Sequence, residues 1–529
     1  MENLSAKKKY LNLSNPVTIQ VIIIMISCLF VAVIQGTGLW DESHYTKTLV
    51  LTLVFLAYWG LLFYMKAGKR LVHEDIAATM MIFLGVLIRS SYVLLSGLYD
   101  RQHDAGVYTG IATDFVNPGH IGYIEYIYKF HHLPDINPYE LFAYYHPPLH
   151  HILSCLWLKL NILLGAAEDL AFENLQVLTL LYSCLCLVVT YRILKVLAIK
   201  GNSLFIGLAF MVFHPATIIM AGSVNNDMLT ILFMCLILLE SLRWIREKDL
   251  KNLIRLALYI GLGMITKLNS AVLAIPLALV FLMHFISVIK EKDKKELLKW
   301  IKNYCIFAVI VAPIGLSWIV RNLIRFGEKP GVPVPGETSP MYTADFSLWS
   351  RLGIPSFADW RINFPFHPIS ASACNNTWVI MLHTSLFAEE YPTDLPDILL
   401  ILCQITFVLA IVFSIVTAIL LFAVLINRKT ILEDKIFLLT GYLIMLASFA
   451  AFVIIYPYTC SSDFRYVAIC LVYIAIALGL GNKYYLFSLA PAAKSRFQKA
   501  APILMHIING GIITILFLIN IIYIFWERW

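Results

Sequence analysis

Charged residues are scarce in this sequence, and no polar stretch is long enough to form a separate soluble domain. Of its 529 residues, 14% are Asp, Glu, Lys or Arg, whereas 60% are hydrophobic. A soluble globular domain has roughly 25% charged and 45–50% apolar residues. The composition therefore excludes an ordinary soluble protein and indicates one integrated membrane domain.

Signatures of nucleotide and zinc sites are also missing. The sequence has neither a P-loop nor a Gly-rich dinucleotide fingerprint, and it shows no internal repeat or low-complexity tract. Its 10 cysteines lie mostly inside apolar runs, without CxxC pairs or the Cys/His spacing of a zinc site. Cys374 and Cys460 lie in loops predicted to face outward, where they are either a disulfide pair or two small packed residues.

Apolar runs of about 20 residues, the length that crosses a bilayer as a helix, recur from end to end. The predicted spans are 17–36, 47–65, 75–98, 175–197, 203–220, 228–246, 252–266, 269–289, 303–320, 397–426, 436–456, 465–482 and 503–526. The first run is too long for a signal-peptide core and is expected to be a retained helix. The run 148–165 is expected to lie at the outer face or dip into it, with a full crossing as the alternative.

The distribution of basic residues predicts the orientation. With the N-terminus in the cytoplasm, 27 of the 40 Lys and Arg residues fall in or beside inner loops, as the positive-inside rule requires. Two long loops, 99–147 and 321–396, then face outward. We expect an all-α, multi-pass membrane protein of about 13 transmembrane helices, in the plasma membrane, with two long extracytoplasmic loops.

The first long loop has polar residues at both ends. It opens with His103 and Asp104, just past a predicted helix end. A carboxylate there is either a general base at headgroup level or a polar helix cap. The loop closes with Tyr145 and His146 before a Pro-Pro pair. His146 is either a phosphate-binding cation or proton shuttle, or an interfacial anchor.

A metal site in this loop is an alternative that the sequence does not favour. Seven histidines occur within 49 residues. They are His103, His120, His131, His132, His146, His150 and His151. His146 and His150 are four apart, but Pro147 and Pro148 lie between them, and no other pair offers a helical zinc site with a helper carboxylate. A Mg²⁺ ion would need carboxylates, which Asp100 and Asp104 offer. The expectation is that no cofactor or metal is required.

Several later outer turns carry polar or charged residues. Asn226 and Asp227 lie between two predicted spans, and Lys267 lies in the next outer turn. Arg321 follows the ninth span, and Arg465 with Tyr466 begins the twelfth. Each cation alone is explained by snorkelling to the interface. Three cationic positions on one face, near the long loops, favour a phosphate or diphosphate ligand.

In this order, the features resemble membrane glycosyltransferases of the GT-C class. The closest likeness is to the protein O-mannosyltransferases and the lipid A aminoarabinose transferase. The resembling segments are His103-Asp104-Ala105-Gly106-Val107-Tyr108, His146-Pro147-Pro148-Leu149, Asn226-Asp227, Gly263-Met264-Ile265-Thr266-Lys267 and Arg465-Tyr466. The likeness covers about 75–482. It departs at Ala105, where the family usually has a second acidic residue.

The resemblance implies a GT-C-like helical bundle in 75–482, preceded by two extra helices in 1–74. A cytoplasmic loop and a last helix follow in 483–529. It also implies transfer of a sugar from a polyprenyl-phosphate donor to a glycan, lipid or protein acceptor on the extracytoplasmic face. Asp104 would be the base. The expected phosphate-binding residues are Lys267, Arg465, His146 and Arg321. The expected substrate-binding residues are His103, Tyr145, Asn226, Asp227 and Tyr466.

Two other functions stay open at this level. A transporter or flippase of lipid-linked saccharides often has inverted repeats and broken helices with charges at the membrane midplane. The sequence has no repeat, and Arg89 is the one basic residue away from the ends of the predicted spans. A non-catalytic assembly subunit would not need Asp104. Within the second long loop, aromatic residues are expected to stack on the acceptor or to anchor the interface. They are Trp349, Trp360, Trp378 and Tyr391.

Overall fold

The computed structural model confirms an all-helical chain. It describes residues 15–39, 44–99, 109–333, 336–354, 365–366, 370–389, 395–486 and 496–525. In these ranges the secondary structure is helical apart from one isolated bridge, in which Tyr342 pairs with Tyr458. The bridge joins the second long loop to the segment after a membrane helix.

In the part of the chain that the structure describes, ten helices are long and apolar enough to cross a membrane. They are Pro16–Gly36, Thr46–Ala67, Glu74–Leu95, Glu168–Val196, Asp227–Arg246, Leu268–Lys290, Lys294–Phe326, Asp397–Leu425, Leu432–Ile455 and Ala500–Ile519. A bent pair, Thr459–Val467 with Cys470–Leu486, turns by 46° and would make an eleventh. Each of these helices coincides with a predicted span.

The predicted count of 13 is not confirmed, because two of the predicted spans form shorter helices. The run 203–220 is broken into Asn202–Phe213 and Pro215–Ile219. The run 252–266 forms Leu250–Met264, with 15 residues. The outer run 148–165 forms Leu149–Leu163, also with 15 residues. Fifteen residues extend about 22 Å, less than the ~30 Å hydrocarbon core.

Arg89 explains how the broken helix is tolerated. The last carbonyls of Asn202–Phe213 have no partners in their own helix, and unsatisfied backbone groups are costly inside a membrane. The buried guanidinium of Arg89 donates to the carbonyls of Met211 and Val212, each at 3.0 Å. It also donates to the hydroxyls of Ser183 at 2.9 Å and Thr217 at 2.6 Å. Arg89 therefore stabilises the break before Pro215.

Two antiparallel helices run between the two ends of the bundle. Asp227–Arg246 extends about 29 Å, and at its C-terminal end Arg246 forms an ion pair of 2.7 Å with Asp434. Asp434 lies in the first turn of Leu432–Ile455, which leads back to Tyr456 beside the cavity described below. The fold thus brings turns that are far apart in sequence, and that are predicted to face outward, to one end of the molecule.

Candidate active site

A cavity of about 410 Å³ lies at this end of the bundle. Both long loops and three of the later outer turns contribute to its wall. Its lining residues are His120, Tyr139, Phe142, Tyr145, His146, Asp227, Lys267, Val332, Pro333, Met341, Phe452, Tyr456, Tyr458, Cys460, Ser461, Arg465 and Tyr466. The volume suits a small ligand rather than a single water molecule. We refer to it below as the site cavity.

Two buried cations share one carboxylate on the cavity wall. Lys267 Nζ contacts Asp227 Oδ1 as an ion pair, and Arg465 Nη1 lies 3.8 Å from Asp227 Oδ2. All three side chains are almost fully buried. Among the described lining residues these are the charged groups, apart from histidines, so the wall carries one net positive charge. Behind the wall, Asp463 Oδ2 lies 4.0 Å from Arg465 Nε and balances this charge, but the two cations are the charged groups on the cavity side that can donate to an anionic ligand.

The turn before Asp227 holds its carboxylate in place. The Asp227 backbone N–H donates to Asn225 Oδ1 at 2.9 Å, and the carboxylate lies at the N-terminus of Asp227–Arg246, where the helix dipole favours negative charge. Asn226 is buried beside the site cavity rather than on its wall. Its Nδ2 donates to the Thr266 carbonyl at 3.0 Å and so joins this turn to the one that carries Lys267.

Tyr466 packs under both cations. Lys267 Nζ lies 4.9 Å and Arg465 Cζ lies 5.2 Å from the centre of the Tyr466 ring, within the range of cation–π attraction. Asn269 Nδ2 donates to the Tyr466 carbonyl at 3.0 Å. Asp463 caps the short helix that carries Arg465 and faces a separate cavity.

The Pro-Pro segment delivers Tyr145 and His146 to the same wall. The Leu149 N–H donates to the Ile265 carbonyl at 3.1 Å, next to the Lys267 turn. Trp318 Nε1 donates to the Tyr145 carbonyl at 3.1 Å. Burial, followed by the positive charge of Lys267, holds the pKa of His146 well below its usual range. His146 is therefore neutral at pH 7 and would meet a phosphate by hydrogen bonding, not as a cation.

Arg321, predicted to bind the donor phosphate, lies outside the site cavity. Its guanidinium donates to the Pro134 carbonyl and, at 2.8 Å, to Asn322 Oδ1. It stacks on the Trp318 ring with Cζ 4.6 Å from the ring centre. These contacts tie the end of Lys294–Phe326 to the first long loop. The structure thus separates Arg321 from the two cations with which the sequence grouped it.

The predicted base and its neighbour, Asp104 and His103, lie outside the described residues. The same holds for Asp100, the other carboxylate considered for a magnesium site. Within the described ranges, no group of three or more His, Cys, Asp or Glu residues is placed to hold a metal ion. The roles of Asp104 and His103 stay predictions.

The second long loop reaches the site cavity through residues other than those singled out in the sequence. Val332, Pro333 and Met341 line the cavity. The Thr343 N–H donates to the Pro457 carbonyl at 2.8 Å, which anchors this loop to the segment that follows the helix Leu432–Ile455. Trp349 is 71% exposed.

The other predicted aromatics of this loop are also absent from the described wall. Trp378 Nε1 donates to the Leu352 carbonyl at 2.7 Å, away from the cavity. Trp360 and Tyr391 lie outside the described residues. Stacking of these aromatics on an acceptor stays a prediction.

Cys374 and Cys460 form no disulfide in the structure, although they line a common small cavity of about 30 Å³. Of the two structural alternatives for these residues, the structure shows packed thiols. Cys460 also lines the site cavity.

His120 and three tyrosines are wall residues that sequence reasoning did not single out. His120 was one of seven histidines in a loop, with no local pattern to distinguish it. Tyr139, Tyr456 and Tyr458 contribute because their segments fold over the cavity; the Tyr139 hydroxyl donates to the Lys329 carbonyl across the two long loops. The one sequence feature that could have pointed to these residues is the clustering of tyrosines beside the outer ends of the predicted spans.

One family model matches part of this chain. Residues 146–318, about a third of the chain, match the family model described as dolichyl-phosphate-mannose-protein mannosyltransferase. The matched range includes His146, Asp227 and Lys267 and excludes Asp104 and Arg465. A search of curated proteins finds no match.

Solved structures similar to this chain include two of the Archaeoglobus fulgidus oligosaccharyltransferase. One is tethered through a disulfide bond to an acceptor peptide containing the NVT sequon, with 12% identity and a TM-score of 0.46. The other is the apo form, with 12% identity and a TM-score of 0.44. Each match covers 85% of this chain and 55% or 56% of the other, so this chain spans little more than half of their length.

The family match and the all-helical membrane architecture confirm the resemblance drawn from the motifs, and they support a multi-pass membrane glycosyltransferase of the GT-C class.

Proposed function

We propose that this protein transfers one sugar from a polyprenyl-phosphate carrier to a hydroxyl acceptor on the extracytoplasmic face. The observation that carries the proposal is the pair of buried cations, Lys267 and Arg465, sharing Asp227 on the wall of the site cavity. The proposed face rests on the distribution of Lys and Arg residues, which predicts that this end of the bundle is outside.

The charge on the wall suits the leaving group of this reaction. A polyprenyl-phosphate sugar is a phosphodiester with one negative charge. When the bond from the anomeric carbon to the phosphate oxygen breaks, its electron pair stays on the phosphate, which becomes a monoester with a second negative charge. Two fixed cations therefore stabilise the departing phosphate more than the bound donor, and this difference lowers the barrier.

The other half of the reaction needs a base. The acceptor oxygen forms the new bond to the anomeric carbon and releases its proton, for which we propose the Asp104 carboxylate. Direct displacement inverts the anomeric carbon, as the GT-C resemblance implies. A wall of tyrosines, including Tyr145, Tyr456 and Tyr458, offers rings for stacking and hydroxyls for hydrogen bonds.

An apolar cavity next to the site supports a lipid-borne donor. Phe464 and Val467 line this second cavity, of about 140 Å³, whereas the intervening Arg465 and Tyr466 line the site cavity. One short segment thus separates a chamber that carries charged side chains from an apolar one between membrane helices. This arrangement suits a molecule with a phosphate-linked sugar at one end and a hydrocarbon chain at the other.

The transporter alternative would be supported by inverted repeats and by broken helices with charges at the membrane midplane. Arg89, the one basic residue away from the ends of the predicted spans, is engaged by helix-end carbonyls and two hydroxyls and has a structural task. The polar groups described here cluster at one end of the bundle instead. Both observations favour transfer over transport.

The test is sugar transfer by the purified protein in lipid vesicles. A panel of polyprenyl-phosphate hexoses and pentoses would be offered with glycans, lipids and membrane proteins from the host. We expect transfer by the wild type, a loss of roughly 100-fold or more in Asp104→Asn and a comparable loss in Lys267→Met. Lys159→Met, outside the site cavity, is the matched control and should keep its activity.

If the wild type transfers sugar and Lys267→Met does so at an undiminished rate, Lys267 does not stabilise the departing phosphate. Undiminished rates in Asp104→Asn would exclude this carboxylate as the base. Movement of the labelled lipid across the vesicle membrane without any transfer would favour the transporter instead.

A further inference from the structure

His120 and His151 form a hydrogen-bonded pair beside the site cavity. His120 Nδ1 lies 2.9 Å from His151 Nε2. The ring planes differ by only 2°, yet the ring centres are 5.2 Å apart. The rings therefore meet edge to edge, joined through nitrogen atoms. One of these two nitrogens must donate and the other accept.

The surroundings of His151 indicate the direction of this bond. Both histidines are buried, and a neutral imidazole carries one N–H and one lone pair. His151 Nδ1 is buried without a hydrogen-bond partner among the described residues, and the Pro147 carbonyl, one turn earlier, is the group that favours a proton on this ring. Two tautomers are therefore compatible with the geometry, and the one that places a proton near this carbonyl has it on Nδ1. With that proton on Nδ1, His151 Nε2 accepts and His120 Nδ1 donates. The remaining nitrogen of His120, Nε2, then bears a lone pair.

His120 lines the site cavity although it is only 2% exposed. Among hydrogen bonds between described residues, the bond with His151 is the one that its ring makes. Burial lowers the pKa of His120 to about 3, outweighing the opposing effect of Asp227. The imidazole is therefore neutral throughout the physiological range, and its lone pair stays available to a ligand.

Acceptors are what a sugar hydroxyl needs in this cavity. Lys267 and Arg465 only donate, and the Asp227 carboxylate that could accept is already contacted by both cations. The acceptors that remain on the described wall are hydroxyl groups and the neutral histidines, and of these His120 is the one whose ring is fixed by a hydrogen bond to another histidine. A neutral ring nitrogen can accept from a hydroxyl without drawing the phosphate-binding cations away.

We propose that His120 Nε2 accepts a hydrogen bond from a hydroxyl of the donor's sugar, which makes His120 a specificity-determining residue. His151 is a positioning residue that keeps the lone pair of His120 directed to the cavity. The inference rests on the proposed function, because it names the part of the donor that His120 recognises. It predicts that His120 distinguishes a sugar-bearing lipid from the bare carrier phosphate.

The experiment measures binding rather than turnover. Wild type and variants in lipid nanodiscs would be titrated with polyprenyl phosphate, and with the mannosyl, glucosyl and arabinosyl derivatives of the same lipid. His120→Phe keeps a ring but removes the acceptor, and His120→Gln restores an acceptor oxygen. His150→Phe is the matched control, since this adjacent buried histidine does not line the site cavity.

We expect His120→Phe to bind the preferred glycosylated lipid roughly 10-fold more weakly and polyprenyl phosphate as the wild type does. His151→Phe should show a smaller loss in the same direction, and His120→Gln should recover part of the affinity. Unchanged bare-phosphate binding shows that the variant is folded with its cavity intact.

Three outcomes would overturn the inference. The first is equal weakening of both ligands in His120→Phe. The second is no change in either ligand. The third is a wild type that binds no glycosylated lipid better than the bare phosphate. Failure of the wild type to bind polyprenyl phosphate at all would instead contradict the proposed function, and the inference would fall with it.

Discussion

Arg465 and Arg321 both lie in outer turns at the ends of apolar segments, and the sequence assigned both to the donor phosphate. In the structure Arg465 is buried 3.8 Å from Asp227, whereas Arg321 stacks on Trp318 outside the site cavity. Charge and membrane side are readable from sequence, but the direction of a side chain depends on packing that only the fold provides.

This difference predicts unequal effects of the same substitution. Arg465→Gln should reduce transfer by roughly 100-fold, because a cation facing the developing phosphate charge is lost. Arg321→Gln should change transfer by less than about threefold. Initial rates with saturating and limiting donor would show this directly. Equal losses in the two variants would contradict the placement of the donor phosphate in the site cavity.

The neutral histidines predict a pH dependence of stability. The pKa of His120 is about 3 in the folded protein, against about 6.5 in an unfolded chain, and that of His146 is also well below its usual range. Below pH 6.5 the unfolded state binds more protons, so stability is full above this pH and falls as the pH decreases towards 3.

Each such histidine contributes up to about 1.4 kcal/mol per pH unit in this window. The Tm in nanodiscs should therefore fall between pH 7.5 and 5.5, and it should fall less steeply in His120→Phe. If the Tm of the wild type and that of His120→Phe fell equally over this pH range, His120 would be protonated in the folded protein. That outcome would contradict the prediction.

At the scale of elements, the spacing of apolar residues predicted most helices well. The predicted span 228–246 is Asp227–Arg246 in the structure, and 397–426 is Asp397–Leu425. The break at Pro215 was not predicted, because an apolar run of sufficient length conceals it. The donors that make the break tolerable come from Arg89 and its neighbours on other helices.

Arg89→Met should lower the free energy of unfolding by about 3 kcal/mol, since two helix-end carbonyls lose their donor in an apolar interior. Arg255→Met, in which the replaced guanidinium is 40% exposed and 3.9 Å from Glu240, should cost less than about 1 kcal/mol. Thermal unfolding of both variants in the same lipid provides the comparison. A stable Arg89→Met protein would refute the structural role of Arg89.

Close contact between two helices leads to a separate prediction. A Cβ at Gly207, in Asn202–Phe213, would lie 2.6 Å from the Ala475 carbonyl oxygen of Cys470–Gly481. Gly207→Ala should therefore destabilise the protein by about 1–3 kcal/mol.

Gly60→Ala is the matched control, because no described atom lies within 4 Å of its added Cβ. It should leave the Tm unchanged or raise it slightly, as alanine favours helix more than glycine. A lower Tm in Gly60→Ala than in Gly207→Ala would contradict the close packing of these two helices.

At the scale of the whole molecule, the sequence predicted which turns share one end but not which residues meet there. Lys267, Arg465 and Asp227 were grouped by their predicted side of the membrane, and the structure places them in contact. His120 was missed because its role depends on His151 and on the fold of the loop around it. Tyr456 was missed because it joins the wall only through the return of Leu432–Ile455 to that end.

The most direct test of the central claim is a structure of the protein in a lipid bilayer with a non-cleavable analogue of a polyprenyl-phosphate sugar. We predict that the phosphate lies within about 4 Å of both Lys267 Nζ and the Arg465 guanidinium, with the sugar in the site cavity beside His120. A phosphate bound at Arg321, or anywhere outside the cavity lined by Asp227, would contradict it.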